Sequence, residues 1–284
     1  MAKGRATVEA RLQAGIAVTP LGLGRSPVHA LPYDNSVNAF GHAQSFRCPH
    51  YLAEEGGLCG IWRHRNGICA TWFCKTVRGA VGVDFWQALK RVLVTIEDSL
   101  ARWCVIELEV GDEALSRIFA SGGRISLSWP IDVETLDGLA NPEMQRAVWG
   151  KWWGREREFY RKCARLVGPL TWAEVCAICG PELQAYAKLA REAYRKLTSD
   201  ELPARLKVGA FITIETRPDF CRITPDGHKR LDLSQRLMGV LRHFDGRSTA
   251  EALSNIIGEE KLEVSEDLIR RLVDFRVLVA CNDK

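Results

Sequence analysis

Familiar catalytic signatures are missing from this sequence. It has no Gly-x-x-x-x-Gly-Lys-Ser/Thr loop, no Gly-x-Gly-x-x-Gly after a strand, no His-Glu-x-x-His, no Gly-x-Ser-x-Gly and no Cys-x3-Cys-x2-Cys triplet. Common nucleotide, hydrolase and radical-SAM chemistries therefore lack their usual support, although an enzyme built on another centre stays open. No run approaches the roughly 20 apolar residues that span a bilayer. Met1 to Thr7 carries Lys3 and Arg5, but no apolar stretch follows as it would in a secretory leader. A soluble, cytoplasmic protein with no membrane partner is the expectation.

Charge of one sign is also scarce. The formal net charge is +4, too small to imply nucleic acid, which calls for clustered Lys and Arg without matching acids. Cysteine, by contrast, is plentiful, with ten in the chain. In a reducing compartment, clustered cysteines point to metal ligation or redox chemistry. The scattered Cys104, Cys163, Cys221 and Cys281 read as small core hydrophobes. With 46% hydrophobic residues, 284 positions can bury one large core or two modest ones, and nine Trp forecast aromatic packing around helices.

The pattern predicts an α+β, mostly helical protein in three parts. Residues 1–47 are punctuated by Pro20, Gly22, Gly24, Pro27 and Pro32 and read as a loop-rich N-terminal arm. Residues 48–202 read as a cysteine-cluster and helical domain. Within it, one helix is expected from Asp84, with Phe85, Leu89, Val92, Leu93, Ile96, Leu100 and Trp103 at helical spacing. A short strand is expected at 124–129, and a second helix from Asn141-Pro142 to about Val167, stopped by Gly168-Pro169. Two more stretches, 171–179 and 181–197, follow. Residues 203–284 read as a winged-helix-like module: a hairpin over 211–214 and 220–224, helices over 234–244, 249–257 and 265–275, and an apolar strand at 277–279.

Cys48, Cys59, Cys69 and Cys74 carry the chemistry. Their spacing, Cys48-x10-Cys59-x9-Cys69-x4-Cys74, lacks the paired Cys-x2-Cys knuckles of zinc ribbons. Four thiolates can hold one [4Fe-4S] cluster or close a tetrahedral Zn2+ site. Widely spaced ligands suit a bulky cluster gripped from several loops, so iron–sulfur is the first choice and zinc the alternative. Either centre is anionic, and no acid occurs from Gly56 through Val83. Arg63, His64, Arg65, Lys75 and Arg78 are thus candidate anion-stabilising neighbours, set against the plainer reading of a solvated basic loop. Cys176-x2-Cys179 has the spacing of a redox dithiol. Two packed core cysteines beside Trp172 and Val175 are the competing reading.

Cys48-Pro49, Gly57, Cys59, Ile61, Trp62, Arg65, Cys69 and Cys74 make the segment resemble the second half of the YkgJ-type zinc/iron-chelating cysteine-cluster proteins. Flagellin lysine-N-methylases carry a similar segment. The resemblance covers residues 48–74 and implies metal chelation without a shared reaction. Asn66 stands where that family has proline, and no cysteine precedes Cys48, so a single centre is implied. The apolar pattern Leu233, Leu237, Leu241, Ala252, Ile256, Leu272, Val273 and Leu278 resembles PqqD-like winged helices, which implies peptide or protein binding by strand addition. From Leu206 to Lys284, 13 Lys or Arg are balanced by 13 Asp or Glu, which argues against DNA as the partner.

Three functions follow. The first is an iron–sulfur-binding protein serving redox transfer, redox sensing or a partner in a maturation pathway, with a C-terminal protein- or peptide-binding module. The second is a cluster-dependent protein or peptide modification enzyme. The third is a zinc-stabilised DNA-binding regulator.

Overall fold

A computed structural model describes residues 2–24, 47–48, 50–73, 76–119, 140–225 and 230–281. The chain is α+β and mostly helical, with small antiparallel sheets. Among the described residues no helix is long and apolar enough to cross a membrane. Two compact units emerge, Met1–Ala70 with Val92–Gln184, and Thr71–Arg91 with Ala185–Lys284. The boundary expected at 203 is therefore not where the contacts divide.

The first unit begins with helix α1 (Ala2–Ala14) and a hairpin of β1 (Val18–Thr19) and β2 (Gly22–Leu23), where loops were expected. The apolar residues of α1 form no stripe, so periodicity gives no signal. Tertiary bonds hold it instead: the Arg11 guanidinium donates to the Ile16 and Gly24 carbonyls at 3.4 and 2.6 Å. At Gly4 a Cβ would lie 1.8 Å from the Gly60 carbonyl oxygen, so only glycine lets α1 come this close to the cysteine segment.

That segment contains β3 (Tyr51–Leu52), β4 (Leu58–Cys59) and the four-residue helix α2 (Gly67–Ala70). The long helix α3 (Gly79–Glu107) supplies its C-terminal part to this unit, followed by α4 (Asp112–Phe119). The strand expected at 124–129 lies outside the described residues. Asn141 caps α5 (Pro142–Trp149), its side chain accepting from the Glu143 and Met144 N–H groups at 3.0 Å.

The single helix expected to Val167 is broken. After α5 comes a 3-10 turn at Gly150–Trp152, and α6 (Glu156–Val167) starts afresh. Gly150 has φ +51°, and a Cβ there would meet the Val110 carbonyl oxygen at 2.1 Å. The break lets Trp149 and Trp152 both enter one core with Val18, Val105, Val110, Ala114 and Phe159. Helix α7 (Trp172–Thr198) follows, broken at Gly180 ahead of Pro181, where two helical stretches were expected.

In the second unit two three-stranded antiparallel sheets are formed by β5 (Arg205–Val208), β6 (Phe211–Thr216), β7 (Phe220–Pro225), β8 (Leu231–Ser234), β9 (Asp245–Ser248) and β10 (Leu278–Ala280). Their orders are β10-β5-β9 and β6-β7-β8. Helices α8 (Gln235–Leu241), α9 (Thr249–Glu260) and α10 (Glu266–Asp274) pack on them. Leu233, Leu241, Ala252, Ile256, Leu272 and Leu278 all enter one core with Leu206, Ile223 and Phe244. The hairpin, three helices and final strand thus stand as expected.

Arg78 and Asp274 tie this unit's separate segments together. The guanidinium meets both carboxylate oxygens of buried Asp274, at 2.9 and 3.1 Å, and donates to the Lys196, Leu197 and Ser199 carbonyls at the end of α7. A bidentate ion pair and orphan helix carbonyls are satisfied by one side chain. Asp84, where the helix was expected to begin, sits inside α3 and pairs with Arg276 at 2.6 Å.

Candidate metal centre

Three of the four cysteines are positioned by very short elements. The Cys48 carbonyl accepts from Tyr51 N–H at 3.0 Å, starting a turn into β3. Strands β3 and β4 pair antiparallel with Tyr51 opposite Cys59, and Gly60 N–H donates to the His50 carbonyl at 2.8 Å. The hairpin thereby returns the second thiol toward the first. Cys69 lies in α2, and its N–H donates to the Asn66 side-chain oxygen at 2.9 Å. Asn66 is thus a cap for the turn that carries the third thiol.

The thiols of Cys48 and Cys59 face Cys69 closely enough to act on it electrostatically. Partial desolvation raises the Cys69 pKa first, and the two neighbouring sulfurs raise it further; nearby Arg65 pulls the other way, and Glu97 adds to the rise. Positive charge at this point favours thiolate, the form that binds metal. Among the described residues no set of three Cys, His, Asp or Glu is gathered tightly enough to hold an ion. Cys74 and Lys75 lie outside the described residues.

The segment also has almost no interior. Of the described residues from 50 to 70, Gly67 alone is buried, while Tyr51, Leu58, Trp62 and Ile68 are exposed. Two-residue strands and single turns without a core are what small metal-stapled modules show. Cys48 and Cys69 are themselves exposed and Cys59 half-buried, with all three as free thiols.

Of the expected basic neighbours, Arg65 lies near enough to Cys69 to lower its pKa. Its guanidinium stacks over the Trp62 ring at 3.5 Å from the centroid, and Nε donates to the Trp62 carbonyl at 3.3 Å. Arg63 and His64 are exposed in the 3-10 turn Trp62–His64. Arg78 is committed to Asp274 and the helix carbonyls described above. His50 is held by Thr7, Oγ1 to Nδ1 at 2.7 Å, and burial followed by Arg11 lowers its pKa.

Sequence inspection missed Glu97. Its Oε1 accepts from Gly67 N–H at 2.7 Å, fastening α2 to α3, and burial raises its pKa against that hydrogen bond. The available signal was an acid four residues after Leu93 and three before Leu100, within an apolar stripe.

Cys176 and Cys179 lie on α7 just before the Gly180 break, both half-buried. Partial burial raises the Cys179 pKa, with Cys176 adding to it and a hydrogen bond from Ser99 opposing. No protein-family model, no curated protein and no solved structure matches the chain.

Proposed function

We propose that this chain is an iron–sulfur-binding protein in which Cys48, Cys59, Cys69 and Cys74 hold one [4Fe-4S] cluster. What supports the reading is that Cys48 and Cys59 lie near enough to Cys69 to raise its pKa, in a segment with no core of its own. Four thiolates satisfy the usual ligand set of such a cluster, and Arg65 offsets part of its negative charge. When bound, the cluster supplies one-electron chemistry, suited to redox transfer or sensing. The chain's own residues shape its surroundings: Arg65 stacks on Trp62 within the ligand loop, while Asn66 and Glu97 fix the backbone up to Cys69.

The second unit supplies a surface for a protein or peptide partner. Strand β6 pairs with β7 and, among the described residues, with no other strand, and Ile212 and Ile214 are exposed on it. An unpaired, β-branched edge can accept an extended peptide as a further strand.

Anaerobic purification with metal analysis tests the assignment. The expected result is brown protein with about four iron per chain, lost on Cys→Ser change at 48, 59, 69 or 74. Colourless protein carrying about one zinc overturns the iron–sulfur reading in favour of a structural zinc site.

A further inference from the structure

The chain's positive charge is concentrated in one stretch. Residues 141–170 carry seven Lys or Arg against three Asp or Glu, an excess of four that equals the formal net charge of the whole chain, so the remaining residues are balanced at 32 against 32. No acid occurs from Phe159 through Ala173. A charge too small to imply nucleic acid when averaged over the chain is therefore clustered in the first unit.

Helix α6 arranges the cluster. Phe159 turns one side of the helix into the core, fully buried. At 3.6 residues per turn, Arg157, Arg161 and Arg165 follow one another in four-residue steps, about 6 Å apart along the axis, on the opposite side. All three are exposed. Arg157 also pairs with Glu9 of α1, while Arg161 and Arg165 make no ion pair or hydrogen bond among the described residues. At its N-terminal end the row meets an open cleft lined by Trp153, Arg155 and Arg157, and by Gln13 at the end of α1. Trp149 and Trp152 enter the core, but Trp153 stays 42% exposed, with the Arg146 guanidinium 4.7 Å from its ring centroid. Glu156, the acid in the cleft lining, accepts from Gly154 N–H at 2.8 Å.

We propose that this face of the first unit binds a single-stranded nucleic acid, with phosphates along Arg157, Arg161 and Arg165 and a base stacked on Trp153 in the cleft. Evenly repeated cations fit a polymer whose negative charges recur at a fixed interval, and the planar fork of arginine meets two oxygens of one phosphate. An exposed indole beside them stacks an unpaired base, which favours a single strand over a duplex. An acidic protein surface would match the charge but not the combination of repeat and indole. The face uses none of the residues of the candidate metal centre, so this inference stands whether that segment binds iron, zinc or neither.

Fluorescence anisotropy of the full chain with labelled oligothymidylate and oligouridylate of about 15 nucleotides tests the proposal. At least one of the two should bind with a dissociation constant between about 1 and 100 µM at physiological salt, and three phosphate contacts should give a log–log salt slope of about −2. Joint Arg161→Gln and Arg165→Gln changes should weaken binding at least about tenfold and make the slope shallower by about 1.4. Trp153→Ala should weaken binding about tenfold and leave the slope unchanged. Because Arg161 and Arg165 are exposed, their double variant should keep the natural thermal midpoint, and it decides the matter even if Trp153→Ala fails to fold. The proposal is overturned by absence of saturable binding to both oligomers, by unchanged affinity in the double arginine variant, or by a duplex or a polyglutamate of matched charge that competes equally well.

Discussion

Trp149 is fully buried, meets Phe159 and Tyr160 edge-to-face at 5.5 and 5.7 Å, and donates its indole N–H to the Val18 carbonyl at 3.1 Å. Truncation to alanine removes the aromatic contacts and leaves a buried carbonyl without its donor. Trp149→Ala should lower stability by about 3–5 kcal/mol in urea unfolding, whereas exposed Trp172→Ala should cost under about 0.5 kcal/mol. Equal losses at the two positions would contradict this account of the core. Tyr160 next to it gives a pH signature. Burial pushes its phenol pKa well above the ordinary value, and the hydroxyl donates to the Thr19 carbonyl at 2.6 Å. The folded state keeps this proton while the unfolded chain releases it above about pH 10, so stability falls as pH rises past that point. Tyr160→Phe should lose about 1 kcal/mol at neutral pH from the missing hydrogen bond, yet show a shallower alkaline decline. Melting midpoints measured from pH 8 to 11 check both effects, and parallel curves for the two proteins would refute the assignment.

Helix boundaries were legible wherever a local cap set them. Ser234, Ser248 and Ser265 each accept a backbone N–H three residues on, from Leu237, Glu251 and Leu268, at 3.1–3.2 Å. Ser265→Ala should destabilise the second unit by about 1 kcal/mol, while Ser265→Asp should retain most of the stability because a carboxylate also caps and favours the helix N-terminus. Guanidinium unfolding of both variants tests this, and a loss with Asp equal to that with Ala would count against capping. The apolar alternation of β7 was equally readable, since Cys221 and Ile223, two residues apart, are both buried. What could not be read depends on partners far along the chain. The break after α5 exists because Gly150 lies against Val110, and α1 is held because Arg11 finds carbonyls outside the helix and Gly4 leaves room for the Gly60 carbonyl. Strands β5, β9 and β10 are three or four residues long and acquire their identity only by pairing across the unit. The candidate centre divides in the same way. Spacing singled out the cysteines, but Glu97 joins them through a hydrogen bond thirty positions away.

At the scale of the whole chain, the second unit is discontinuous, and the Arg78–Asp274 pair spans its two segments. Asp274 is buried and Arg78 mostly so, with side-chain exposures of 7% and 23%, and the contact is bidentate. Removing one member strands the other: Arg78→Ala leaves a buried carboxylate, and Asp274→Ala leaves a guanidinium balanced only by carbonyls. Each single change should therefore cost about 3 kcal/mol. The double variant should cost little more than either, giving a coupling energy of about 2 kcal/mol or larger in a double-mutant cycle. The same cycle at the exposed pair Arg117 and Glu113 should give under about 0.5 kcal/mol, as expected for one helical turn in solvent. Additive losses at Arg78 and Asp274 would mean that the two segments are held by apolar contacts such as Phe85 on Tyr194, and that the ion pair is incidental. Strong coupling would mean that residues 71–91 are part of the C-terminal unit in energy as well as in space. A truncation at residue 203 would then strip Asp274 from Arg78 and Arg276 from Asp84, so loss of function in a tail-deleted chain would have to be read against loss of stability.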